Sequence, residues 1–338
     1  MNSTNNQFAA NTTTNLVLAG TTCILSMLGA LFIIVTYAKW VTIQTASRNI
    51  LLYISVSDFF LALGNFVGIF VKCKIICLVQ SIVVTFFSLS SFFWTVFMAV
   101  YLYYGCSRRK VVSRETLFCI FYIIGWGVPF LITAIAAWTA KLGYNADIVT
   151  SGWCWVSVKL SWNEMIIWML ITGKFWEILA YFIITVMYIL IKKAVRRQFR
   201  EQGLLDDKEE KAKRIAEMKL IAVPLVFITL HIWGTVRFFI FEKTGPALEL
   251  PNTSWLLYLQ GIGDNGQGFA NFLIFCFCTE KTQEILKSCC SKGFCRRRRK
   301  RGPKNVPEQR VITPSSSRVT IEPKVKYDPQ EYDYADLG

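Results

Sequence analysis

Residues 77–104 form the uncharged run CLVQSIVVTFFSLSSFFWTVFMAVYLYY, which is 28 residues long. At a rise of about 1.5 Å per residue, a helix of this length crosses a hydrocarbon core about 30 Å thick with some tilt. The run also carries small and hydroxyl side chains, which let other helices approach closely and hydrogen-bond across the contact: Ser81, Thr85, Ser88, Ser90, Ser91 and Thr95. We therefore predict a transmembrane helix in the middle of a helix bundle.

The composition of the whole chain is typical of a polytopic membrane protein. Of 338 residues, 54% are apolar and only 17% are charged, and the mean hydropathy is +0.41. The charged residues lie in short blocks between long apolar runs. The net charge of +15 reflects Lys and Arg beside membrane spans, where positive residues accumulate on the cytoplasmic side, so no nucleic-acid partner is expected.

Seven runs are predicted to span the membrane, at residues 16–37, 49–71, 77–104, 116–139, 164–191, 218–241 and 253–278. The predicted fold is an all-α membrane protein, a seven-transmembrane helix bundle occupying residues 16–278 after a short extracellular N-terminus at residues 1–15. Pro224 and Gly268 are candidate hinges in the sixth and seventh runs, since Pro removes a backbone donor and Gly adds freedom.

The distribution of Lys and Arg predicts the orientation in the membrane. Alternate loops are rich in these residues, and the rich set is expected to be cytoplasmic. This places the N-terminus outside and the C-terminus in the cytoplasm of a multi-pass plasma-membrane protein. Asn2 and Asn11 begin glycosylation sequons on the outer side, which agrees with this orientation.

The segment after the seventh run predicts contact with the inner membrane surface. Residues 279–295 are expected to form a short amphipathic eighth helix with a cysteine cluster, Cys289, Cys290 and Cys295, beside the basic run 296–301. Palmitoylation of these cysteines would add to binding of anionic lipids, and the alternative is that they are reduced cytosolic thiols. Residues 296–338 are predicted to be a basic, then disordered, cytoplasmic tail.

Two cysteines on the outer side are candidates for a disulfide. Cys77 opens the third run, and Cys154 lies in the outer loop between the fourth and fifth runs. Both would face an oxidising compartment, where a bridge would hold this loop over the mouth of the bundle. Cys73 lies on the same side and is an alternative partner for Cys154.

Ionisable residues within the runs mark a candidate site: Asp58, Lys174, Glu177, Arg237 and Asp264, with His231 alongside. Such groups are unfavourable in lipid and usually face the bundle interior in pairs. Lys174 and Asp264 each lie about 15 Å below the outer ends of their runs, and Lys174 shares a helix face with Glu177. The group could bind a ligand or relay a conformational change, or it could be a buried ion pair that only fixes helix register.

No arrangement of residues in the sequence predicts catalysis. The chain has one histidine, and no nucleophile, metal-ligand cluster or phosphate-binding glycine loop accompanies it at a suitable spacing. We expect no enzyme activity, no cofactor and no metal. Charges at mid-membrane also occur in transporters and channels, which is the alternative function, although the internal repeats common in transporters are not found.

Six short motifs, in order along the chain, resemble G-protein-coupled receptors of the group that joins cyclic-AMP-receptor-like and secretin/adhesion-type members. They are Arg48-Asn49, Phe93-Trp94, Gly125-Trp126-Gly127, Cys154-Trp155, Pro224-Leu225 and Gly266-Gln267-Gly268. Residues 172–181, TGKFWEILAY, are similar to the orphan G-protein coupled receptor 157 family. The resemblance implies an unknown extracellular ligand, activation of a heterotrimeric G protein, and the ciliary membrane as a further expected location.

A receptor of this kind is expected to engage its G protein through the inner ends of the third, fifth and sixth spans. Basic residues there are candidate contacts: Arg108, Arg109, Lys110, Lys213, Arg214 and Lys219. The alternative is that these cations only enforce the topology against an anionic leaflet.

Overall fold

Long apolar runs dictate helices in a membrane, because a helix satisfies its own backbone hydrogen bonds where lipid supplies no partner. The computed structural model describes residues 13–41, 44–70, 73–106, 113–144, 150–201, 219–244 and 254–278. Within them, seven helices cover the seven predicted runs to within a residue, so the predicted seven-helix bundle is confirmed.

The first three helices are Thr13–Lys39, Ala46–Phe70 and Lys74–Cys106, and the fourth is Arg114–Trp138. The fifth consists of Trp162–Met169, a π-helical turn at Leu170–Lys174, and Phe175–Glu201. The sixth consists of a 3-10 turn at Lys219–Ile221 and the α-helix Ala222–Thr244, and the seventh is Ser254–Cys278. The first six are long and apolar enough to cross a membrane, whereas polar residues interrupt the apolar sequence of the seventh.

The first helix begins earlier than the sequence predicts. Residues 13–15, predicted to belong to the extracellular segment, are helical, and Asn15 is buried. The side-chain amide of Asn15 donates to the backbone oxygen of Ser151 at 2.9 Å. This contact with a loop residue explains why polar Asn15 is part of the packed helix.

The third helix is central, as its hydroxyl-rich sequence predicts. It contacts the second, fourth, fifth and sixth helices, and its buried residues include Ser81, Thr85, Ser90, Ser91 and Thr95. Burial on several faces explains why small polar residues are distributed around its circumference.

The two candidate hinges, Pro224 and Gly268, occupy different positions in their helices. Pro224 is in the first turn of the α-helical part of the sixth helix, where a missing N–H removes the least, rather than in mid-helix. The backbone N–H of Gly268 donates to Oγ of Ser26 at 3.0 Å, and a Cβ on Gly268 would lie 2.6 Å from that oxygen. Gly268 therefore permits close approach of the first and seventh helices, and a hinge role for either residue stays a prediction.

The loop between the fourth and fifth helices folds back over the bundle. Its short strands β1 (Leu142–Gly143) and β2 (Trp155–Val156) pair antiparallel. A disulfide joins Cys154 to Cys77, with the two Cα atoms 5.5 Å apart, while Cys73 is free and exposed. Gln80 adds to this attachment, because its side-chain oxygen accepts from the backbone N–H of Cys154 at 2.9 Å. We call this end of the bundle the disulfide end.

Several predicted features lie outside the described residues. They are the sequons at Asn2 and Asn11, the basic residues Arg108, Arg109, Lys110, Lys213 and Arg214, the amphipathic helix 279–295 with Cys289, Cys290 and Cys295, and the tail 296–338.

Candidate functional site

The six ionisable side chains predicted within the membrane all lie inside the bundle. Five of these residues are at most 6% exposed: Asp58, Lys174, Glu177, His231 and Arg237. The side chain of Asp264 is 16% exposed. Buried charges require partners, and the structure supplies them through contacts among the second, third, fifth, sixth and seventh helices.

Lys174 and Glu177 form a buried ion pair on the fifth helix. Nζ of Lys174 donates to Oε2 of Glu177 at 2.7 Å. Oε1 of Glu177 accepts from the hydroxyls of Tyr181 at 2.5 Å and of Thr235 at 2.6 Å. Since Thr235 belongs to the sixth helix, this carboxylate joins the fifth helix to the sixth.

The π-helical turn at Leu170–Lys174 helps to position this pair. A π turn adds a residue to one helical turn and so shifts the register of the turns after it. Thr172, Gly173 and Lys174 are all buried. A Cβ on Gly173 would lie 2.8 Å from the Trp155 ring, so the turn also lets the loop tryptophan pack onto the fifth helix.

Asp264 on the seventh helix is the centre of a second group of contacts. Its Oδ1 lies 3.4 Å from Nδ1 of His231, and its Oδ2 accepts from Nε2 of Gln260 at 3.2 Å. Oε1 of Gln260 accepts in turn from Nη1 of Arg237 at 2.7 Å.

The two groups meet beside Gly234. A Cβ on Gly234 would lie 3.1 Å from Oδ1 of Asp264 and 3.2 Å from Nζ of Lys174. Both charged groups therefore border the space that a larger residue at this position would occupy.

Hydrogen bonds continue from His231 towards the second helix. Nε2 of His231 lies 2.9 Å from Oε1 of Gln267 and must donate, because an amide oxygen only accepts. Nε2 of Gln267 donates to the Ser91 hydroxyl at 3.1 Å, which donates to Oδ1 of Asp58 at 2.8 Å. Asn271 donates to Oδ2 of Asp58 at 3.0 Å. We call the connected residues Asp264, His231, Gln267, Ser91, Asp58 and Asn271 the polar network.

Sequence reasoning missed the uncharged members of this site. Gln260, Gln267 and Asn271 are neutral, so a search for charges in apolar runs passes over them. A signal was nevertheless present, because Gln260, Asp264, Gln267 and Asn271 succeed one another at intervals of four, three and four residues. That spacing places them on one face of the seventh helix.

A cavity lies between the polar network and the folded loop. The space inside it that the centre of a water molecule can occupy is about 60 Å³. Lys174, Glu177, His231 and Asp264 line it, together with residues of the second and third helices and of the loop: Leu61, Asn65, Val84, Thr85, Ser88, Phe92, Trp153 and Trp155. The arrangement can bind a small molecule that carries both polar and apolar groups.

Two other predicted properties are the absence of a metal site and the basic contacts to a G protein. Among the described residues, no group of three or more His, Cys, Asp or Glu side chains is placed to hold a metal ion. Of the six basic candidates for G-protein contact, only Lys219 is described, half-buried in the 3-10 turn that opens the sixth helix.

Comparisons with known proteins place these features in a family. The sequence profile of the family described as "7 transmembrane receptor (Secretin family)" matches residues 12–269. The human protein named G-protein coupled receptor 157 is 36% identical over 278 residues, which are 79% of this chain and 82% of that protein. The mouse protein of the same name is 35% identical over 296 residues, 84% of this chain and 88% of its own. Squid rhodopsin superposes with a TM-score of 0.63 at 18% identity, over 81% of this chain and 84% of its own, and so shares the fold.

Proposed function

This chain belongs to the seven-transmembrane receptors of the secretin family and is a G-protein-coupled receptor. We propose that it binds a small extracellular ligand in the cavity under the disulfide-linked loop. The observation that carries the proposal is the continuity of the polar network. His231 and Asp264 line the cavity, and hydrogen bonds lead from them to Asp58.

The polar network provides a physical route from the cavity to the rest of the bundle. Its members belong to four helices, the second, third, sixth and seventh. In a site with little competing water, displacement of one polar partner leaves the next one unsatisfied, so a local change favours a concerted rearrangement. A ligand that binds His231 or Asp264 better in one arrangement than in another would shift the balance between the two.

We propose that the disulfide end faces the outside of the cell. Disulfides persist in oxidising compartments. Lys39 and Arg114, which adjoin loops rich in basic residues, are at helix ends away from the disulfide. The N-terminus is then extracellular and the C-terminus cytoplasmic. The proposed location is the plasma membrane, including its ciliary part, as the family resemblance suggests.

The G protein would engage the opposite end. Opening of a cytoplasmic cavity there would involve the start of the sixth helix, near Lys219 and Pro224. We propose that the six basic candidates act together, although each of them also contributes to topology. The proposed function includes no catalytic step. Neither the relatives nor the fold favour a transporter or channel.

The test is G-protein activation in cells expressing this chain, measured separately for each class of α-subunit. At least one class should respond above cells that lack the receptor. Substitution of Arg108, Arg109, Lys213, Arg214 and Lys219 by Gln should abolish the response while surface level and topology persist. A full response from that variant at matched surface level would contradict the proposed inner face.

A further inference from the structure

The hydrogen bonds of the polar network run in one direction and determine which nitrogen of His231 carries a proton. The Ser91 hydroxyl donates to Oδ1 of Asp58 at 2.8 Å, so its oxygen accepts from Nε2 of Gln267 at 3.1 Å. The amide oxygen of Gln267 then faces Nε2 of His231 at 2.9 Å, and that ring nitrogen must be protonated. In a neutral imidazole the other nitrogen has no proton. Nδ1 of a neutral His231 would therefore present a lone pair to Oδ1 of Asp264, which lies 3.4 Å away.

The contact between Nδ1 of His231 and Asp264 calls for a second proton on the ring. A lone pair and a carboxylate that face each other in a buried site repel, whereas a proton on Nδ1 makes the contact an ion pair. Lys174 keeps the Asp264 carboxyl ionised, because its Nζ and Oδ1 of Asp264 border the same small space beside Gly234. His231 is only 3% exposed, so little water can screen the repulsion. The geometry therefore favours an imidazolium opposite a carboxylate.

This second proton also balances the charges of the site. Three anions then face three cations: Asp58, Glu177 and Asp264 against Lys174, Arg237 and protonated His231. Asp264 faces the imidazole from the seventh helix, Glu177 and Lys174 line the same cavity from the fifth, and the third helix presents the Phe92 ring at 5.5 Å. Loss of the proton would leave one buried negative charge without a counter-charge, which is unfavourable inside a membrane protein.

The cavity gives this proton access to water. His231 and Asp264 both line it, and the centre of a water molecule can occupy about 60 Å³ of its interior. One water needs about 10–15 Å³ of such space, so several fit. Oδ1 of Asn65 and Oγ1 of Thr85 also line the cavity without a protein partner and can hydrogen-bond to water. Water in the cavity can therefore deliver a proton to the His231–Asp264 pair and remove it again.

We propose that a proton is a ligand of this receptor, held on Nδ1 of His231 opposite Asp264 and exchanged with extracellular water through the cavity. On release, Nδ1 keeps the lone pair and the proton leaves with cavity water. The lone pair then repels the Asp264 carboxylate, so the polar network favours another arrangement. The step from this rearrangement to a G protein rests on the proposed function, whereas proton binding does not.

The experiment follows His231 alone, because the chain contains a single histidine and histidine-selective isotope labelling marks no other residue. Nuclear magnetic resonance of the purified full-length receptor in lipid nanodiscs, prepared without a histidine tag, distinguishes a doubly protonated ring from a neutral one. Both ring nitrogens should be protonated at neutral pH, and the ring should become neutral, with its proton on Nε2, as the pH is raised. Asp264→Asn should weaken proton binding by roughly tenfold or more, which is one pH unit, because it removes the facing negative charge.

Glu242→Gln is the matched control. Glu242 is an exposed carboxylate on the same helix as His231, and its variant should titrate as the wild type does. A ring that is neutral at neutral pH, or one whose protonation is constant wherever the receptor stays folded, would overturn the inference. Both outcomes are measured on the wild type and do not depend on the folding of Asp264→Asn. Equal titration of the wild type and a folded Asp264→Asn would overturn it too.

A second measurement separates proton binding from signalling. G-protein activation in cells is recorded while the external pH crosses the value at which His231 titrates in the purified receptor. Activation by the wild type should change at that pH, and activation by His231→Gln should not. A receptor whose His231 titrates while its G-protein activation is independent of pH would support the proton site and contradict its signalling role.

Discussion

Glu177→Gln tests whether the buried ion pair stabilises the bundle. The wild-type carboxylate accepts from Lys174 at 2.7 Å, from Tyr181 at 2.5 Å and from Thr235 at 2.6 Å. Glutamine keeps the shape and one acceptor oxygen but removes the negative charge. Lys174 would then be a buried cation next to a neutral amide.

The structure sets the expected size of the effect. Removal of one partner of a buried ion pair costs about 3–5 kcal/mol. The Asp264 carboxylate approaches Lys174 beside Gly234 and can take over part of the interaction, so we expect the lower end of that range. Even about 3 kcal/mol is a large share of the ~5–15 kcal/mol by which folded proteins are typically stable. The purified variant should unfold at a clearly lower temperature, and less of it should reach the cell surface.

Glu164→Gln is the matched control. Glu164 pairs with Lys141 at 3.6 Å, but these side chains are 51% and 21% exposed, so water can replace the lost partner. Glutamine also preserves the capping box that Glu164 forms with Ser161. Lys174→Met combined with Glu177→Gln should recover part of the lost stability, since it removes the unpaired cation. Equal unfolding temperatures for Glu177→Gln and Glu164→Gln would refute the reasoning.

Three further predictions concern packing, the loop and the orientation. Gly263→Ala should strongly reduce the amount of folded receptor, because the added Cβ would collide with the backbone oxygen of Leu230. Gly127→Ala should not, because the space around Gly127 is open. Size-exclusion profiles of the two purified variants make the comparison. Cys77→Ser should destabilise the receptor, whereas Cys73→Ser should not. A non-reduced digest should yield a peptide with Cys77 linked to Cys154, and a peptide with Cys73 linked to Cys154 would contradict the structure. If Asn2 and Asn11 are extracellular, glycosidase treatment should increase the gel mobility of the wild type but not of a variant with Gln at both positions.

The charged part of the site could be predicted from sequence because charge in a membrane helix needs a partner wherever the helix packs. The spacing of Lys174 and Glu177 was enough to place both on one face. Their partners on other helices could not be predicted in the same way. The contact of Glu177 with Thr235 depends on packing between the fifth and sixth helices, which no local pattern specifies.

Two features of the helix backbones could not be predicted from the sequence either. The π-helical turn before Phe175 changes the register of the fifth helix, and its sequence carries no clear signal of that change. The burial of Asn15 near the start of the first helix involves a contact with Ser151, a residue far away in sequence. A contact between residues so far apart cannot be read from a local pattern.

If the polar network couples the cavity to the G protein, binding of the G protein must in turn change the cavity, because coupling between two binding sites is reciprocal. Ser88 lines the cavity, so a Ser88→Cys receptor can report on it through the rate of labelling by a charged thiol reagent, measured at position 88 by peptide mass spectrometry. Nucleotide-free heterotrimer of the responding class should change that rate, and a non-hydrolysable GTP analogue should reverse the change. With Gln267→Leu added, which breaks the link between His231 and Ser91, the rate should no longer depend on the heterotrimer. An unchanged dependence in the Gln267→Leu receptor, or none in the Ser88→Cys receptor itself, would contradict the claim.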